Sequence, residues 1–220
     1  MLHRTCLALA VALGTAVTGA GTVPAAQATS QTPHISHTSQ IPRTSSPGPQ
    51  ASAEAVIKNT AGKNIGSLSI GQQPDGKSKL TITVGDLSAG YHGFHIHMKG
   101  SCDPQSIDPA TGSPFASAGP HFTLPPVKHS EHSGDLPNLL VAADGTGEAT
   151  VVTDRFKVGQ LFDGDGSAVV IHALPDNHSN IPDRYSHPAD PTTGTGPDAE
   201  TLKAGDSGGR VACGVITGNR

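Results

Sequence analysis

The chain has 220 residues, 27 of them Gly and 18 Pro, with no Trp and a formal net charge of −4. Charged side chains make up 15%, below the roughly one quarter of an ordinary soluble domain. The acid balance and the lack of any Lys/Arg cluster exclude a generally basic nucleic-acid binder. The length allows one domain or two small ones. Histidine is the residue in excess: 12 in all, seven of them between Tyr91 and Ala173.

In chain order, residues 1–28 read as a secretory signal peptide. His3 and Arg4 form a short basic start, Leu7–Val17 is apolar but too short to span a bilayer, and Ala26-Gln27-Ala28 is an A-x-A cleavage site. No other stretch is long and apolar enough to cross a membrane. The mature chain is therefore expected without a transmembrane segment, in a secreted or cell-envelope location. Cleavage removes Cys6 and leaves Cys102 and Cys213, which in an exported protein are most simply a disulfide. A bridge closing a loop of that length stabilises by about 4–5 kcal/mol in the chain-entropy model, and real bridges give about 2–4 kcal/mol. Residues 29–53 are Ser, Thr, Pro and Gln with almost no large apolar side chains, the composition of a disordered linker. His34 and His37 within it read as solvated.

The folded domain is expected over 54–220. Ala55–Thr60, Ile65–Gly71 and Lys79–Val84 alternate like strands, with a turn at Gln73-Pro74-Asp75-Gly76-Lys77. Next comes Gly93-Phe94-His95-Ile96-His97-Met98. A period of two sends Phe94, Ile96 and Met98 to one face and His95 and His97 to the other. Two imidazoles side by side on a rigid strand make half of a metal site. The pattern lapses from Lys99 to Asp135, then returns at Leu139–Ala142, Ala149–Thr153, Ser167–His172 and Arg210–Ile216. Asp144-Gly145-Thr146-Gly147 is a hairpin connection, and 173–209 is a second long irregular stretch. No segment carries a sustained helical period. The expectation is all-β, with about eight short antiparallel strands in a barrel or sandwich and two long functional loops.

The first of these loops holds His121 and then His129-x-x-His132-x-x-Asp135, a donor set suited to tetrahedral zinc. His172 ends an apolar strand, and with His95, His97 and His121 it offers four imidazoles, which suit copper. On these residues the chain resembles the copper/zinc superoxide dismutases, especially the exported bacterial ones. The resemblance rests on GFHIHMKGSC at 93–102, GPHF at 119–122, HSGDLPNLLV at 132–141, VVIHA at 169–173 and GGRVACGVI at 208–216.

The resemblance implies an eight-stranded antiparallel Greek-key barrel or sandwich. It implies copper on His95, His97, His121 and His172, and zinc on His121, His129, His132 and Asp135, with His121 bridging the two ions. It makes Asp176 the carboxylate that holds one ligand histidine of each metal, Arg210 the catalytic guanidinium beside the open copper face, and Cys102–Cys213 the family disulfide. The activity implied is conversion of superoxide to oxygen and hydrogen peroxide, with His121 able to deliver a proton. It allows a homodimer without choosing a surface.

The chain departs from the family pattern in two places. His129 and His132 are three residues apart where the family has a longer excursion, so copper alone with a degenerate zinc site is an alternative. The second loop is poor in the lysines that guide the substrate, leaving Arg184 and Lys203 as candidates. A secreted copper/zinc carrier without turnover is the binding-class alternative. A zinc hydrolase is disfavoured because protein donors fill all four zinc positions.

Overall fold

The computed structural model describes residues 50–124, 126–187 and 194–219. The expected signal peptide, and the linker up to residue 49, lie outside them. Ten strands are present: β1 Ser52–Asn59, β2 Asn64–Gln72, β3 Ser78–Val84, β4 Gly90–His92, β5 Phe94–His97, β6 Leu139–Val141, β7 Gly147–Thr153, β8 Ala168–His172, β9 Arg210–Val215 and β10 Thr217–Asn219. Among the described residues, helix is confined to α1, Thr201–Ala204, and two 3-10 turns, Ala116–Ala118 and Val158–Leu161.

The pairings are antiparallel throughout, in the order β4-β6-β7-β3-β2-β1-β9-β8-β5 with β10 beside β1. Non-consecutive neighbours such as β7–β3, β1–β9 and β8–β5 are the Greek-key crossings. About eight strands were expected and ten are found, because the short strands β4 and β10 lie just outside two of the expected ranges. The strand through the histidines is interrupted at Gly93: β4 pairs with β6 at one end of the path, and β5 pairs with β8 at the other. One continuous stretch of chain therefore joins both ends of the sheet and closes the barrel, which removes its open edges. The last strand is broken likewise at Ile216. The first strand, β1, begins at Ser52, where it pairs with β2 and β10.

Strand alternation fills the interior. β1 buries every second residue, and Leu68, Ile70, Leu80, Ile82, Phe94, Ile96, Val169 and Ile171 meet in one cluster. Full burial of such side chains stabilises by about 1.5–3 kcal/mol each. β8 is buried on both faces. Val169 and Ile171 enter the barrel, while Ala168 and Val170 pack outward with Phe115, Ala118 and Cys213 beneath the loop that follows β5. This two-sided burial explains the unbroken apolar run before His172. β5 is also wholly buried. His95 and His97 do face away from Phe94 and Ile96, but two loops cover that outer face.

Cys102 and Cys213 form a disulfide, with Cα atoms 5.6 Å apart. It ties the covering loop to β9. Replacing both cysteines by serine is expected to lower the unfolding free energy by about 2–4 kcal/mol, read from denaturant titration of the mature chain. A loss below about 0.5 kcal/mol would mean that the loop is held without the bridge.

Candidate metal centre

The loop between β5 and β6 runs back along β5 as if it were the next strand. Phe122 donates its amide to the Ile96 carbonyl (2.8 Å), Ile96 to Gly134 (3.0 Å), and Gly134 to Phe122 (2.7 Å). These bonds register His121 opposite His97 and Asp135 opposite His95. The close approach requires Gly134, since a Cβ there would lie 2.4 Å from the Ile96 oxygen. On the other side of β5, β8 sets Val170 opposite His95 and Ala168 opposite His97, and His172 follows two residues beyond Val170 on the same outer face.

His95, His97, His121 and His172 each offer a ring nitrogen to a group whose donor atoms all lie within 4.8 Å of one another. The hydrogen bonds assign their tautomers. His95 donates from Nε2 to Asp176 (2.8 Å), His97 from Nδ1 to the Gly119 carbonyl (2.9 Å), and His172 from Nδ1 to the Gly208 carbonyl (3.0 Å). The opposite nitrogens, His95 Nδ1, His97 Nε2 and His172 Nε2, are buried without a hydrogen-bond partner, as is His121 Nε2. Burial holds all four rings below the ordinary imidazole pKa, His97 and His172 well below it and His121 at about 3. Neutral rings with aligned, unsatisfied lone pairs are what a metal ion needs and what an empty core cannot tolerate. The four residues fit a copper ion.

A second group shares His121. Its Nδ1 lies 2.7 Å from Asp135, and the Nδ1 atoms of His129 and His132 each lie 3.1 Å from the same carboxylate. All four donors again fall within 4.8 Å, so the three-residue spacing of His129 and His132 does bring both rings to one point. His129 is informative, because its Nε2 donates to Asp176 (2.8 Å) while its Nδ1 faces Asp135. A neutral ring has one N–H, so a second cation, proton or metal, must lie on the Asp135 side. Burial opposes a proton there, but the two carboxylates outweigh it and raise the His129 pKa to about 9. A divalent ion satisfies the same demand, and one carboxylate with three imidazoles suits zinc.

Asp176 joins the two groups. It is 3% exposed, and the histidines that donate to it hold its carboxyl below the usual range against the effect of burial. Its backbone is clamped by Asn138, which accepts from the Asp176 amide (2.7 Å) and donates to its carbonyl (2.8 Å). Gly205, with φ +59°, lies directly against it, and a Cβ there would fall 1.8 Å from Asp176 Oδ1. Asn138 and Gly205 were not singled out from the sequence. Asn138 stands in the run after Asp135, but nothing local links it to a residue 38 positions on. His129, Asp176 and His178 also come close together, yet both Asp176 oxygens already serve His95 and His129.

Arg210 donates from its two terminal nitrogens to the Phe115 and Gly119 carbonyls, each at 2.7 Å. It lines an open cavity of about 410 Å³ with His121, His172 and Lys203, so the guanidinium stands at the mouth of the four-histidine group. Arg184 instead stacks on Tyr185 at 4.8 Å and is not among the residues lining the cavity. His92 is buried, with Nδ1 2.7 Å from the His172 carbonyl, a structural role. His178 is exposed.

A closed antiparallel barrel carrying two histidine-rich groups that share one ring defines a class of dinuclear metalloproteins. Sequence comparison makes the class specific. The family description "Copper/zinc superoxide dismutase (SODC)" matches residues 64–216, and the chain belongs to that family. It is 46% identical over 140 residues to the Cu-Zn superoxide dismutase of Mycolicibacterium paratuberculosis, covering 62% of this chain and 60% of that protein. It is 34% identical to Cu-Zn superoxide dismutase 2 of Brassica juncea, over 74% of this chain and 94% of that one. The Cu/Zn superoxide dismutase structure from Brucella abortus matches with a TM-score of 0.55 at 26% identity, covering 76% of this chain and 99% of that one. The chain spans 57–60% of the length of the mycobacterial relatives it matches.

Replacing Gly205 by Ala is expected to push Asp176 off His129 and weaken zinc binding by about 10–100-fold, the usual effect of losing a partner behind a ligand. Zinc titration against a competing chelator reads this directly. Affinity equal to the parent's would show that Asp176 does not orient His129.

Proposed function

We propose that the chain is a superoxide dismutase with copper on His95, His97, His121 and His172 and zinc on His121, His129, His132 and Asp135. The observation that carries this reading is the shared ring of His121: its Nε2 joins one donor group and its Nδ1 the other. Copper, when bound, supplies one-electron redox chemistry, so that two superoxide ions and two protons become one oxygen and one hydrogen peroxide.

The side chains do the rest. His95, His97 and His172 are each fixed by a hydrogen bond on the far nitrogen, so their lone pairs are oriented in advance. His121 is a ring held at one nitrogen and able to hold or release a proton at Nε2, which lies beside the cavity. Arg210 attracts the anion and orients it, and its two bonds to backbone carbonyls keep the guanidinium from collapsing into solvent. Lys203 adds positive charge on the same wall. His121, His129, His132 and Asp135 would hold zinc, which would supply a fixed positive charge that steadies the His121 ring and the loop bearing His129 and His132.

Export through residues 1–28, with 29–53 as a linker and the catalytic domain beyond, is part of the same reading. It is supported by the Cys102–Cys213 disulfide, which needs an oxidising compartment, and by bacterial relatives in the family.

Elemental analysis after reconstitution is expected to give copper and zinc in near-equal amounts. Copper without zinc would leave the copper-only alternative. In pulse radiolysis the loaded protein should turn over superoxide far faster than free copper does. Arg210→Ala should lower its second-order rate constant by about tenfold or more and flatten its salt dependence, since charge focused in a cleft raises on-rates by roughly 10–1,000-fold. Turnover no faster than free copper would identify a carrier.

A further inference from the structure

The loop from His129 to Asp135 puts three donors on seven residues. Its two ends are pinned. His129 donates its amide to the Leu202 carbonyl (3.3 Å) and its own carbonyl accepts from Ser179 (2.9 Å), while Gly134 is locked into the ladder along β5. The middle is held from a different direction. Arg155, just past the end of β7, donates from one terminal nitrogen to the Ser130 carbonyl (2.9 Å) and the His132 carbonyl (3.1 Å).

The base of this brace is rigid. The Arg155 amide donates to Thr153 Oγ1 (3.2 Å). The next residue, Phe156, is buried, its carbonyl accepts from Ser78 (2.9 Å), and its ring stands edge-on to Phe122 at 6.2 Å. Phe122 immediately follows His121. The segment carrying Arg155 therefore packs beside His121 as well as holding the middle of the loop. The guanidinium addresses carbonyl oxygens and leaves the Asp135 carboxylate to the three imidazoles.

We propose that Arg155 is a positioning residue that fixes His132 as a zinc ligand, by gripping the Ser130 and His132 carbonyls of the shortened loop from the barrel wall. The proposal rests on the zinc assignment above and concerns a residue outside the ligand set and outside the cavity lined by Arg210. One terminal nitrogen meets both carbonyls through its two N–H groups, with a reach and a charge that the shorter, neutral Gln lacks and that Lys keeps in part.

The test compares the full mature protein with Arg155→Ala, Arg155→Gln and Arg155→Lys. Zinc release to a chelator should be about tenfold faster or more in the Ala and Gln variants, and partly restored in the Lys variant. Cobalt(II) placed in the zinc position should lose the intense visible absorption of a tetrahedral ion. Hydrogen exchange of the 128–135 segment should quicken even before metal is added. The copper electron paramagnetic resonance spectrum and the thermal midpoint of the metal-free protein should stay at the parent's values. Zinc release within twofold of a normally loading parent overturns the proposal. Parallel loss of the copper signal or of the metal-free midpoint also overturns it, because Arg155 would then act on the fold as a whole. A parent that takes up no zinc, with copper bound normally, overturns the zinc assignment and the proposal with it.

Discussion

The two hydrogen bonds of Asp176, one to His95 and one to His129, are the constraint on which the metal centre depends. Both are 2.8 Å long and both are buried. His95 comes from a barrel strand and His129 from a loop, so one carboxylate ties the framework to its covering. Each bond also chooses a tautomer and turns the far nitrogen toward its own donor group. A buried carboxylate is costly unless it is fully engaged, and here four residues engage it: His95, His129, the backbone amide of His178 and, through the main chain, Asn138. Gly205 leaves the space in which this can happen.

The barrel supplies the rest by simple alternation. Strands β5 and β8 turn Phe94, Ile96, Val169 and Ile171 inward, so His95, His97 and His172 arrive on the outer wall without further instruction. The loop after β5 then contributes His121 because its backbone hydrogen bonds copy those of a neighbouring strand. The same loop covers β8, is sewn to β9 by the disulfide, and presents to Arg210 the carbonyls that hold its guanidinium. Fold and site are one set of hydrogen bonds seen from two sides.

Much of this was legible in the amino acids. Alternation placed most of the strands within one or two residues, and the imidazole spacing named both donor groups. What was not legible is what depends on contacts between distant segments. The short strand just before Gly93 is not legible locally, because it depends on the switch of pairing from β6 to β8. Asn138 and Gly205 look like turn residues, and their importance appears only when the chain brings them against Asp176. The short His129–His132 spacing looked doubtful by itself. The two rings nonetheless meet, with Gly134 on β5, Leu202 and Ser179 in the second loop, and Arg155 on the barrel each holding the loop from outside.

The placement of donors on different kinds of backbone has a thermodynamic consequence. His95, His97 and His172 ride on paired strands whose conformational freedom was already spent in folding. His129 and His132 ride on a turn outside the paired strands, held at its ends by backbone bonds and in its middle by Arg155. An ion entering the first group meets a finished cage, whereas one entering the second must also pay to still the segment around it. The two halves therefore differ in the entropy of capture as well as in donor chemistry, and the ring of His121, common to both groups, lets the ordered half lend its rigidity to the other.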